Sequence, residues 1–183
     1  PTYLGALQSF SACQPQFSGL DTPQLTGATA PRLIYLVPDF ANPDGTTLSR
    51  TARHKALDQA RTLDAVIVED GAYTALRYDG DDLPPIAALD ATTHGIEASR
   101  TLYCGSFSKT LSPGLRVGWV CGPKALIRKL TLLKQGADLH TATINQMVIH
   151  RVAIDGYDGQ VARTRSVYRA RRDAMLGALE RPA

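Results

Sequence analysis

Three short apolar runs, residues 32–38 (Arg-Leu-Ile-Tyr-Leu-Val-Pro), 65–69 (Ala-Val-Ile-Val-Glu) and 101–105 (Thr-Leu-Tyr-Cys-Gly), recur along the chain, each separated from the next by enough residues for a helix or a long crossover. Strands spaced this way cannot pair through tight hairpins, so they pack side by side as a largely parallel sheet. Ligands of such sheets bind off the carboxyl ends of the strands. Ligand chemistry is therefore expected in the segments just after the three runs: Asn42 in the turn 39–45, Asp70, and the segment from Ser106 to Lys109. An acid, a lysine, two serines, an arginine and an amide donor on one edge describe a site for a phosphate-bearing cationic ring with an aldehyde.

The segments between the runs supply the packing. Residues 48–63 carry Leu48, Ala52, Ala56, Leu57, Ala60 and Leu63 on one stripe, with Arg50, Arg53, Lys55, Asp58 and Arg61 outside it, which predicts an amphipathic helix. Residues 77–100 read as a long surface connection whose acidic run is solvated. Pro123 opens a helix with Leu126, Ile127, Leu130 and Leu133 at helical spacing, interrupted at Gly136, and residues 138–146 read as a helix–helix joint. Residues 156–180 predict one long amphipathic helix with Val161, Tyr168, Met175 and Leu179 inward and its arginines outward. At the other end, residues 1–10 suit the first turns of a helix, and residues 11–30 read as loop.

Composition narrows the function classes. The chain has 183 residues, 44% of them hydrophobic, enough for one sizeable core with part of a second. Net charge is only +3, with basic residues scattered until the Arg-rich end and no aromatic interleaving, so the pattern gives no nucleic-acid surface. Cys13, Cys104 and Cys121 are odd in number, and the last two fall in apolar runs, which predicts buried free thiols in a reducing compartment. His54, His94, His140 and His150 are dispersed without zinc spacing, so no metal is expected. With no membrane-length apolar run, no membrane partner is expected and a cytoplasmic location is the default.

The chemistry is densest at residues 103–120. A phosphate-binding P-loop needs glycine directly before its lysine, and Ser108 occupies that place. A nucleophile elbow needs Gly-x-Ser-x-Gly, and the chain offers Gly-Ser-Phe-Ser-Lys. There remains a single lysine, Lys109, between two apolar strands, with Ser106, Ser108 and Arg116 able to clamp a phosphate while the amine forms a Schiff base.

The segment Ser106-Phe-Ser-Lys-Thr-Leu-Ser-Pro-Gly-Leu-Arg-Val-Gly-Trp119 resembles the lysine motif of the fold-type I, pyridoxal-phosphate-dependent aminotransferases, most closely the aminoadipate and kynurenine aminotransferase group. The resemblance implies a three-layer αβα large domain with a mainly parallel sheet and one antiparallel strand. It implies pyridoxal 5'-phosphate held by Lys109, Asp70 on the ring nitrogen, Tyr73 and Asn42 on the phenolic oxygen, and Ser106, Ser108 and Arg116 around the phosphate. Tyr3, in a Pro-x-Tyr-x-Gly segment, is the matching stacking residue. Without the resemblance, Asn42-Pro43 is turn chemistry and Tyr3 a half-buried aromatic. The implied reaction moves an amino group from an L-amino acid to a 2-oxo acid, commonly 2-oxoglutarate, in a homodimer. Residues 1–155 would be a partial large domain and 156–183 a helix leading to a C-terminal small domain that is absent. Two alternatives share the motif: the aminotransferase-like domain of a MocR-type transcriptional regulator, and a lyase on the same fold.

Overall fold

The computed structural model describes residues 32–180. Tyr3, Cys13 and the helix and loop expected over residues 1–30 lie outside the described residues. Four strands, β1 (Leu33–Leu36), β2 (Val66–Asp70), β3 (Thr101–Ser106) and β4 (Gly118–Cys121), form one sheet in the order β1-β2-β3-β4. The first three are parallel, with Leu36 opposite Glu69 and Asp70 opposite Cys104, and β4 runs antiparallel to β3. The largely parallel pairing is what the spacing of the apolar runs predicts, and the one antiparallel strand is what the family resemblance implies.

Helix α1 (Arg50–Thr62) starts where Ser49 accepts the Ala52 N–H at 3.2 Å. Its Ala52, Ala56, Leu57 and Ala60 are buried, and the last three pack with Ile34, Leu36 and Ile67 of the sheet. Small residues at these positions let the helix backbone approach the strands closely. Residues 77–100 hold more than a surface connection. They contain α2 (Ile86–His94), whose Ile86 and Leu89 join the same core and whose Asp90 is fully buried.

Among the described residues, α1 and α2 cover one face of the sheet. The opposite face leaves Leu33 and Tyr35 44% and 55% exposed, so the first strand is buried on one side only. Helix α3 (Lys124–Asp138) runs through Gly136 without interruption, because that glycine faces open space and one such residue costs a helix only about 1 kcal/mol. A joint at 139–142 leads into α4 (Thr143–Leu179), which begins well before Gly156 and carries a non-helical residue there. Of the four residues expected to face inward on α4, Val161 is buried, while Tyr168, Met175 and Leu179 are exposed because nothing among the described residues packs over them. Cys104 is half-buried and Cys121 exposed, since β4 is the edge strand of the described sheet.

Asp90 ties three elements together. Its carboxylate accepts the Arg100 N–H at 2.7 Å and the hydroxyls of Ser99 and Thr101 at 2.9 and 3.1 Å, and it pairs with Arg61 of α1 at 2.6 Å. Burial alone would raise its pKa, but the four donors outweigh burial and hold it below the ordinary carboxylate value. Asp90→Asn should therefore cost about 2 kcal/mol at neutral pH. Because the folded pKa lies below the unfolded one, this stabilisation is complete above the ordinary carboxylate range and is lost as pH falls through the folded value. Urea unfolding of both proteins from about pH 7 to about pH 2 should show the gap closing on the acid side.

Candidate active site

The carboxyl ends of β1, β2 and β3 lie along one edge of the sheet, and each delivers a polar segment there. After β1 the chain turns through 39–45. The turn is closed by Ala41 N–H to Thr46 O at 2.9 Å and Gly45 N–H to Ala41 O at 2.6 Å, with Gly45 at φ +72°. Asn42 stands exposed on this turn and is joined to Pro43 by a cis peptide bond.

The turn is anchored from below by Asp39, which is buried. Its Oδ1 accepts from Arg53 of α1 at 2.7 Å and from Arg77 at 2.6 Å, and its Oδ2 accepts the Thr74 hydroxyl at 3.2 Å. Arg53 also donates to the carbonyls of Pro38, Leu48 and Pro84, while the Arg77 guanidinium lies 4.5 Å from the Phe40 ring centroid. One carboxylate thus fixes the turn bearing Asn42 relative to the segment just after Tyr73.

Strand β2 ends in two acids with different surroundings. Glu69 is buried under α2 and accepts the N–H groups of Ile86 and Ala87, both at 2.8 Å, at the start of that helix. Burial pushes its pKa up even against those two donors. Asp70 faces the other side and is half-buried. Its Oδ2 accepts the Tyr35 hydroxyl at 2.6 Å and its Oδ1 the Ala72 N–H at 3.1 Å. Tyr73, three residues on, presents its ring to Lys109, whose Nζ lies 5.6 Å from the ring centroid.

Lys109 is exposed on the loop from β3 to β4. That loop is closed at its base by Phe107 N–H to Val117 O at 3.1 Å and braced inside by the N–H groups of Leu111 and Ser112 on Phe107 O. Ser106 Oγ accepts the Ser108 N–H at 3.1 Å. Arg116 takes a left-handed conformation (φ +52°) and donates to Pro113 O at 3.2 Å, with its guanidinium exposed. Asn145 of α4 donates its amide to Leu115 O at 2.9 Å, fastening the loop to the helix.

The sheet edge thus gathers Asn42, Asp70, Tyr73, Ser106, Ser108 and Lys109, with Lys109 against Tyr73, while Arg116 lies farther along the same loop. Sequence reasoning did not find Tyr35, Asn145 or the Asp39–Arg53–Arg77 cluster. Tyr35 alternates with Leu36 and Ile34 and so marks the outward face of β1, which is a usable signal. The other contacts join residues too far apart in sequence to leave one.

Comparison with known proteins identifies the family and the fold. Residues 17–182 match the family described as aminotransferase class I and II. The chain is 38% identical to a 2-aminoadipate transaminase of Thermus thermophilus, over 99% of the chain and 47% of that protein. It is 32% identical to the uncharacterized HTH-type transcriptional regulator YdfD of Bacillus subtilis, over 98% of the chain and 38% of that protein. Among solved structures, the α-aminoadipate aminotransferase LysN of Thermus thermophilus, complexed with N-(5'-phosphopyridoxyl)-L-leucine, superposes with a TM-score of 0.76 at 41% identity, covering 82% of this chain and 38% of that one. The chain spans about half the length, or less, of the curated relatives it matches.

An aromatic wall stands beside the lysine loop: Tyr103 and Trp119 lie 5.2 Å apart between ring centroids, and a Cβ on Gly105 would fall inside the Trp119 indole. Trp119 is the single tryptophan of the chain. Gly105→Ala should therefore displace the indole, shift the tryptophan emission and lower the melting temperature, both read in one fluorescence-monitored melt. Unchanged emission would show that the indole does not rest on Gly105.

Proposed function

The chain belongs to the class I and II aminotransferase family, and from that premise we propose that it is the cofactor-binding part of a pyridoxal-phosphate-dependent aminotransferase with Lys109 as its Schiff-base lysine. The observation that carries the reading is the exposed Lys109 amine beside the Tyr73 ring, on a loop closed at its base, next to a strand that ends in Asp70. Pyridoxal phosphate, when bound, supplies an aldehyde and an electron-withdrawing ring that takes up the electron pair left on an amino acid's α-carbon.

The donor set fits that group. Asp70 accepts one hydrogen bond on each oxygen and has a second lone pair on each, and no cation among the described residues forms an ion pair with it. Its role is to keep a ring N–H protonated. Ser106, Ser108 and the Arg116 fork are the phosphate donors, the last through bidentate geometry. Asn42 and Tyr73 serve the phenolic oxygen, and Tyr3 is the proposed stacking residue. Lys109 would hold the aldehyde carbon, and its amine, when free, would move the α-proton of a bound amino acid.

The amino donor is an L-amino acid and the acceptor a 2-oxo acid, with 2-oxoglutarate proposed by family likeness. A homodimer is part of the proposal, supported by apolar side chains exposed on α3 and α4, among them Leu132, Leu133, Ile144 and Met147. A cytoplasmic location is supported by the free thiols Cys104 and Cys121. Residues 156–183 are proposed to lead into a further small domain.

A second reading rests on the match to a transcriptional regulator over nearly the whole chain. There the same site would bind cofactor as the sensor of a MocR-type regulator, and a basic helix-turn-helix upstream in the polypeptide would favour it.

The test is the visible spectrum of the full-length protein with pyridoxal phosphate, before and after L-glutamate. A band that vanishes in Lys109→Ala and bleaches with the amino acid is the expected result, with turnover in the variant reduced by about 10²–10⁴-fold or more. Product formation that depends on a 2-oxo acid separates transfer from a lyase. A band indifferent to a panel of amino acids would favour the regulator, and no band would overturn the cofactor assignment.

A further inference from the structure

Asp70 is held by a neighbour outside its own strand. Tyr35 of β1 is in register with Val68, two residues before Asp70 on β2, and residues two apart on a strand share a face. The tyrosine side chain therefore reaches diagonally along the outward face and its hydroxyl donates to Asp70 Oδ2 at 2.6 Å, within the range of a bond to an ionised oxygen. On the other oxygen the Ala72 N–H fixes the carboxylate plane.

The surroundings are unusual for a carboxylate. From β3, Cys104 stands opposite it in register, its thiol pushed up by burial first and then by the charges of Asp70 and Glu69. Tyr73 lies three residues on in the chain. Tyr35 itself is pushed up to about 12, by burial first and then by its bond to Asp70, so it stays a donor throughout the neutral range. The side chains facing Asp70 from the neighbouring strands are thus a phenol and a thiol. Two neutral donors orient the anion without neutralising it, which suits a site awaiting a cationic ligand.

We propose that Tyr35 is a positioning residue for Asp70, its hydroxyl locking the carboxylate in the orientation that presents a free lone pair to the cofactor's ring N–H. The inference rests on the proposed pyridoxal phosphate site. Tyr35 touches Asp70, and its effect on the cofactor runs through that carboxylate. Because Tyr35 is 55% exposed and its ring can remain in place, removing only the hydroxyl leaves the fold intact.

The experiment compares full-length wild type, Tyr35→Phe, Asp70→Asn and the double variant. Pyridoxal phosphate affinity is measured by equilibrium dialysis, and the pH profile of the visible band by titration. Tyr35→Phe is expected to melt like wild type without cofactor, to bind pyridoxal phosphate about five- to tenfold more weakly, the loss of one hydrogen bond, and to shift the pH profile. In the double variant the Tyr35 change should add nothing to Asp70→Asn, since both act through one carboxylate. Wild-type affinity and profile in Tyr35→Phe, or effects that add in full, would overturn the inference while leaving the cofactor site standing. Absence of cofactor binding by wild type would overturn the site and the inference together.

Discussion

The buried carboxylate of Asp39 is the interaction on which the geometry of the sheet edge depends. Two guanidiniums share it, one from α1 and one from the segment after Tyr73, and Thr74 closes the far oxygen. Ions taken out of water cost several kcal/mol each unless paired and hydrogen-bonded. Here Arg53 offsets that cost with carbonyls from three separate positions. The turn carrying Asn42 and the stretch carrying Tyr73 are therefore not independent loops, and one cannot move without disturbing the charge that fixes the other.

A similar logic governs the two acids that end β2. Adjacent residues on a strand point to opposite faces, so Glu69 and Asp70 must meet different environments. The inward acid is taken up by the first N–H groups of α2, where the helix dipole favours a negative charge. The outward acid is left with two neutral donors and no ion-paired cation among the described residues. This division makes Asp70, and not its neighbour, the acid free to meet a ligand.

The lysine loop solves a different problem: an exposed, flexible side chain must be presented from a fixed backbone. Backbone bonds close the loop on itself, and Asn145 ties it to α4 from thirty residues away. The aromatic wall beside it depends on glycines, since Tyr103 lies where a side chain at Gly71 would be and Trp119 where one at Gly105 would be. The left-handed backbone at Arg116 lets the chain leave the loop for the antiparallel strand β4.

The sequence by itself determined the alternation of strands and crossovers along the chain, the parallel character of the sheet, helix α1 and the edge on which the polar segments collect. These follow from local periodicity and from the distance along the chain between apolar runs. Tertiary structure decided what period alone could not carry: that one sheet face is covered and the other open among the described residues, that an aspartate in a polar stretch is the fully buried Asp90, and that Tyr168, Met175 and Leu179 stay exposed. It also decided the partners of Asp39 and Asp70. A hydrogen bond between residues 35 apart leaves no pattern in the intervening sequence, because only the register of two strands brings them within reach.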